Sequence, residues 1–114
     1  SAEDQRKIFG KWLSLAYIRL YSSLIKTEQF DRAIEIIKEY VAFRSNYVQD
    51  PYQFLTEDEL LFKLSQKIQD DEQAKFFEDR MLNHYMVPVN IVAAMKKDVE
   101  QGYLESANPE NYSV

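Results

Sequence analysis

The stretch Leu13 to Phe43, LSLAYIRLYSSLIKTEQFDRAIEIIKEYVAF, decides the fold. Tyr17, Leu20, Tyr21 and Leu24 recur at steps of three and four before the polar corner Lys26-Thr27-Glu28-Gln29, and Phe30, Ala33, Ile37 and Tyr40 do so after it. Such steps place side chains on one face of an α-helix. Two apolar helical faces joined by a short polar corner predict an antiparallel helical hairpin, because each stripe leaves water by packing on the other.

Towards the N-terminus the period continues through Ile8, Trp12, Leu15 and Ala16, so the first helix is predicted over about Glu3 to Ile25. Its apolar arc is wide, with Phe9, Leu13 and Ile18 beside the main stripe. A helix of that kind sits at the centre of a bundle or is covered on its second side by another chain. Thr27 is placed to N-cap the second helix, with Glu28 and Asp31 at the positive end of its dipole. That helix carries Phe30, Ala33, Ile34, Ile37, Tyr40 and Val41 inward and fades at Phe43 to Asn46.

Proline disfavours helix at the residue before it, so Asp50-Pro51 anchors a loop from Ser45 to Thr56. Thr56 and Glu59 have the spacing of a capping box, which predicts a third helix from Glu57 with Leu60, Leu61, Leu64 and Ile68 as a narrow inward stripe. Asp70-Asp71-Glu72 start a fourth, carrying Ala74, Phe77, Met81 and Tyr85. Pro88 opens a fifth that runs to Gln101 and stops at Gly102. The expected fold is therefore all-α: a compact bundle of about five helices that includes the N-terminal antiparallel hairpin. A single domain over residues 1–104 is expected, with a flexible C-terminal tail over 105–114. The predicted core is Trp12, Leu20, Leu24, Phe30, Ala33, Ile37, Leu64, Phe77, Met81 and Val99.

Composition narrows the function. Only two glycines, Gly10 and Gly102, stand among 114 residues, which argues against hairpin-rich β structure and against a phosphate-cradling glycine loop. The lack of cysteine removes disulfides, thiolate nucleophiles and cysteine-based zinc sites together, and fits a cytoplasmic setting. No apolar run reaches the length of about 18 residues that marks a membrane span. Charge is unevenly spread: residues 1–48 hold eight Lys/Arg against six Asp/Glu (+2), and residues 49–114 hold six against thirteen (−7). The acidic part repels a phosphate backbone, which makes nucleic acid an unfavoured partner.

Catalytic equipment is not visible. His84 is the single histidine, and Met81 three residues before it breaks the Glu-x-x-His spacing of helical di-metal sites. No serine sits in a strand-turn-helix elbow that His84 could serve. The carboxylate pairs Asp70-Asp71 and Glu78-Asp79 read as helix starts and solvated faces. No catalytic residue, cofactor or metal is expected, and the chain is not read as an enzyme.

Around Ala33, the segment Tyr17 to Tyr40 resembles one hairpin of a tetratricopeptide repeat. Ala33 takes the small position that lets two helices approach, Phe30 the bulky position three before it, Leu24, Leu20 and Tyr17 first-helix positions, and Ile37 a second-helix apolar position. Tyr21 and Tyr40 stand where the family favours small residues, and Ser45 where it ends on proline. A second copy about 34 residues on does not follow, since Lys67 lies where the alanine would recur. The resemblance implies peptide or protein binding on a helical surface. Asn90 to Leu104, with Gly102-Tyr103-Leu104 at its end, is similar to the closing helix of winged-helix DNA-binding domains, and would imply a nucleic-acid contact through helix 88–102, carried by Lys96 and Lys97.

Sixteen aromatic residues are more than one core of this size hides, and tyrosine and tryptophan favour interfaces. The expected function is a non-enzymatic protein-protein interaction module, a regulator or adaptor whose partner is another protein, itself included as a homodimer. Phe9, Tyr47, Tyr52, Phe54 and Tyr103 are the candidate contact residues, because they lie off the main stripes or in loops. Two alternatives stand beside it: an acidic immunity or antitoxin-type helical protein that captures a basic partner, and the nucleic-acid regulator just described.

Overall fold

The computed structural model describes residues 1–47 and 53–105, and among them the chain is all-helical. Its helices are α1 (Ala2–Lys26), α2 (Phe30–Arg44), α3 (Leu55–Lys67), α4 (Asp71–Asp79) and α5 (Val89–Glu100), with a π-helical turn at Arg80–His84 that continues α4. Contacts cluster into two compact units, Ser1–Val48 and Gln49–Val114, within the stretch that the sequence reading treats as one domain over 1–104. Beyond Glu105, the tail expected over 105–114 lies outside the described residues.

In the first unit α1 packs on α2 as the expected hairpin. Tyr21 and Leu24 of α1 are buried with Ala33, Ile34, Ile37 and Tyr40 of α2, and Ala33 and Ile37 are fully enclosed. Ala33 has only a methyl group to place at the seam, so the two backbones can approach closely there. Aromatic rings extend the seam: Tyr17 lies 5.7 Å from Tyr40 and 5.8 Å from Phe43, and Tyr21 lies 6.0 Å from Tyr40, all tilted.

The corner differs from expectation in its chemistry. Thr27 does not cap α2; it closes α1, with Oγ1 donating to the Ser23 and Leu24 carbonyls at 2.9 and 3.3 Å. Glu28 takes a left-handed backbone (φ 59°), its N–H donates to Ile25 O at 3.1 Å, and Gln29 N–H donates to Leu24 O at 2.8 Å. This is a Schellman motif, which satisfies the last carbonyls of α1 before they would seek a partner in α2. Gln29 then stands at the N-cap of α2 without a side-chain capping bond, its amide instead donating to Thr27 Oγ1 at 2.8 Å and accepting from Arg32 Nη1 at 3.1 Å.

Trp12 and Leu20, both expected in the core, are exposed at 64% and 43%. The reason is geometric. A lone helix pair buries one face of each helix, and α1 is about 37 Å long against about 22 Å for α2, so its first turns run past the end of their partner. Phe30 and Val99 are only partly buried. The other core expectations, Leu24, Ala33, Ile37, Leu64, Phe77 and Met81, are buried.

In the second unit α3 is enclosed on every side from Glu57 to Ser65, not along the narrow stripe predicted. It packs against α4, the π-helical turn and α5, and Phe62, Leu64, Met81 and Met95 lie at the centre. The Thr56–Glu59 capping box does not form, because the helix begins two residues earlier, at Leu55 with Phe54 as N-cap. α4 starts on Asp70, whose Oδ1 accepts from Gln73 N–H at 3.1 Å. Two further Schellman motifs end α3 at Gln69 (φ 62°) and α5 at Gly102 (φ 86°), the latter at the predicted stop.

Candidate functional site

On α1, Ile8, Phe9, Trp12, Leu15, Ala16 and Leu20 fall within an arc of about 140° at 100° per residue, opposite the face that meets α2. All six are exposed, the five large ones at 58%, 67%, 64%, 38% and 43% in chain order. Scattered single apolar residues on a surface are ordinary, but a contiguous row over four turns is not. Using typical side-chain areas, the row presents roughly 500 Å² of apolar surface, within the range of the largest patches on monomers, which are commonly functional. Its ends are charged, with Glu3 and Asp4 in the first turn of α1 and Lys26 in the last.

On another side of the same helix, where α1 runs past the end of α2, a cleft of about 360 Å³ is lined by Arg6, Lys7, Lys11 and Arg44, with Glu3 as the only anion among the described residues there, and walled by Phe43 and Tyr47. Arg44 is held in place by Nη1 donating to the Tyr40 hydroxyl at 2.8 Å, and its guanidinium lies 5.6 Å from the centre of that ring. The cleft can accept a carboxylate against an aromatic wall.

The second unit holds its polar chemistry inside. Asp58, 3% exposed, accepts at Oδ2 from the Tyr85 hydroxyl at 2.5 Å and from Arg80 Nε at 2.9 Å, and Arg80 Nη2 also donates to the Tyr85 oxygen at 3.3 Å. Arg80 and Tyr85 are five residues apart, which in an α-helix separates side chains by about 140°. The wider π-helical winding between them brings both onto one face, where one carboxylate can hold both. Burial pushes the Tyr85 hydroxyl well above its ordinary range, and the bond to Asp58 adds to this. Burial works against the Arg80 cation, yet its bonds to Tyr85 and Asp58 outweigh that and leave it raised.

A second group surrounds Lys63, 1% exposed. Its Nζ lies 3.3 Å from Glu59 Oε2 and 3.4 Å from Asp98 Oδ2, and donates to the Glu105 carbonyl at 2.7 Å. Three donors thus meet three acceptors, and α3 is fastened to α5 and to the chain beyond it. Both groups tie elements together within the fold. His84 is exposed and meets the edge of Tyr85 at 4.7 Å. Among the described residues no group of three His, Cys, Asp or Glu could hold a metal ion, and no helix is long and apolar enough to cross a membrane. Lys96, one of two cations expected to face nucleic acid, is held by Glu78 at 2.6 Å.

The predicted contact residues are divided between the two units. Phe9 lies on the exposed face of α1. Tyr47, 69% exposed, meets Phe43 at 5.3 Å with its ring tilted, and both line the cleft. Phe54 and Tyr103 belong to the second unit, Phe54 half-buried at the start of α3 and Tyr103 exposed after Gly102, and Tyr52 lies outside the described residues. Sequence reasoning missed Ile8, Trp12, Leu15 and Leu20 as surface residues, although the wide apolar arc of the first helix was their signal. No family model, curated protein or solved structure matches the chain.

Proposed function

We propose that this chain is a non-enzymatic protein-interaction module whose contact surface is the outward face of α1. The observation behind this reading is the row Ile8, Phe9, Trp12, Leu15 and Leu20, five large apolar side chains held exposed on one rigid helix. A helix face of this kind is the form in which amphipathic helices meet their partners, through anchors at i, i+4 and i+7. Trp12 is the natural centre of the contact, because tryptophan near the middle of an apolar patch is the commonest hot spot. Charge at the rim and in the neighbouring basic cleft then sets which partner is accepted more than how tightly it binds.

The immobilised chain is expected to capture a protein partner that the Trp12→Glu variant loses and a Tyr103→Ser variant in the second unit keeps. Replacing a central hot-spot residue costs about 2 kcal/mol or more, roughly a thirtyfold loss of affinity. Equal capture by the wild-type chain and Trp12→Glu would place the contact elsewhere.

A further inference from the structure

The outward face of α1 is complementary to a reversed copy of itself. About a midpoint at Ser14, Gln5 mirrors Ser23, Ile8 mirrors Leu20, Phe9 mirrors Arg19, and Trp12 mirrors Ala16. Gln5, Phe9, Trp12, Ala16, Arg19 and Ser23 all fall within the arc of this face or at its edge at 100° per residue. A second α1 laid antiparallel, with its midpoint at the same height, therefore sets polar Gln5 against polar Ser23 at the ends and, on one edge inside them, Phe9 against Leu20. Near the middle of the face the largest side chain, Trp12, meets the smallest, Ala16. Large against small is what lets two helix surfaces interdigitate.

Charge selects the same orientation. Glu3 and Asp4 lie in the first turn of α1 and Lys26 in the last, so an antiparallel copy brings acidic ends near basic ends. A parallel copy would set Asp4 beside Asp4 and Lys26 beside Lys26. Asp4 and Lys26 also lie on the same edge of the apolar arc, and a two-fold axis perpendicular to both helices brings like edges together. The area is sufficient as well: roughly 500 Å² of apolar surface from each copy reaches about the 1,000 Å² that separates specific interfaces from incidental contacts. From this complementarity we propose that the occupant of the face is a second copy of this chain, its α1 paired antiparallel with Trp12 seated against Ala16 of the other copy. The proposal rests on the reading of α1 as a protein-contact surface and names its partner.

The chain has one tryptophan and no cysteine, so both probes are clean. At about 100 µM the chain is expected to sediment as a dimer, with Trp12 emission shifted to the blue, and dilution should return it to the red as the monomer appears. Trp12→Glu should weaken the dimer about tenfold or more. Because that variant can also loosen the hairpin, orientation is tested in an otherwise native chain. A mixture of Gln5→Cys and Ser23→Cys chains, whose positions share one height and one angle on the paired faces, should oxidise to the mixed disulfide. Gln5→Cys alone should not, since antiparallel pairing holds its two copies about 27 Å apart along the axis.

A monomer at that concentration, or a dimer whose Trp12 emission does not move, overturns the pairing. A disulfide formed by Gln5→Cys alone overturns its direction. A monomeric chain that still captures another protein through Trp12 removes the second copy and leaves the proposed function standing.

Discussion

Three residues, Glu28, Gln69 and Met86, carry a left-handed backbone that their side chains do not favour, and two of them end helices. Glu28 and Gln69 are left-handed at the C-terminal ends of α1 and α3, where glycine is the usual occupant, and α5 uses Gly102 in the same role. A non-glycine residue there costs about 1–2 kcal/mol against steric crowding, whereas glycine costs about 0.5–1 kcal/mol in unfolded-state entropy. Glu28→Gly and Gln69→Gly are therefore each expected to stabilise by about 0.5–1 kcal/mol, read as a higher urea midpoint at unchanged slope. Gly102→Ala should move the midpoint down by about 1 kcal/mol, although nothing lies within 4 Å of the added Cβ, because the strain is in the backbone alone. These ends also show how sequence signals compete. Gly102 announced its stop, but Glu28 and Gln69 could not, because their conformation is imposed by helices packing on either side of the corner. Thr27 fits a helix start and a helix end equally well by type.

At the scale of the element, the π-helical turn Arg80–His84 decides the second unit by bringing Arg80 and Tyr85 to the carboxylate of Asp58. Tyr85→Phe removes the donor and leaves a buried carboxylate with one partner fewer, for an expected loss of about 1–3 kcal/mol. Its pH dependence has a definite sign. The folded-state pKa of Tyr85 is raised above the unfolded value, which is close to 10. The stability from its neutral hydroxyl is thus complete below about pH 10 and is lost as pH rises further. The stability difference between wild type and Tyr85→Phe should be constant from neutral pH to about pH 10 and shrink above it; a difference that stays constant into stronger alkali would mean that Tyr85 does not keep its proton for Asp58. Lys63→Met is expected to cost about 3–5 kcal/mol by leaving Glu59 charged in the interior, and Lys63→Met with Glu59→Leu to recover much of it. The helices themselves were legible from period and punctuation, and α1, α2 and α5 fall within a few residues of their predicted limits. The burial of α3 was not. Glu57, Asp58, Glu59 and Lys63 look like a solvated face by type, and only contacts 22 to 42 residues away in sequence show them as interior. The exposed face of α1 was half legible: its wide arc required a second cover, but nothing in one chain's pattern says whether that cover is its own fold or another molecule.

For the whole molecule, the two units differ in how well they can support themselves. The second encloses a complete helix, whereas the first is a single helix pair that buries one face of each. Units smaller than about 60 residues are marginal, and below about 40 they usually need a disulfide, a metal or a partner. This one has no cysteine and carries its largest apolar residues outside. If a second copy covers that face, hairpin stability must rise with protein concentration, by about 2.7 kcal/mol at one hundred times the dissociation constant. Heating should then give two transitions. Trp12, the only tryptophan, reports the first unit alone, while far-ultraviolet circular dichroism reports both. The fluorescence midpoint is expected to lie lower and to rise by several degrees over a hundredfold increase in concentration, with the second dichroism step unmoved. Trp12→Glu should fix the hairpin's step, followed then by dichroism, at its low-concentration position. Coincident transitions by both probes, independent of concentration, would mean that the hairpin is held by something other than a second copy of itself.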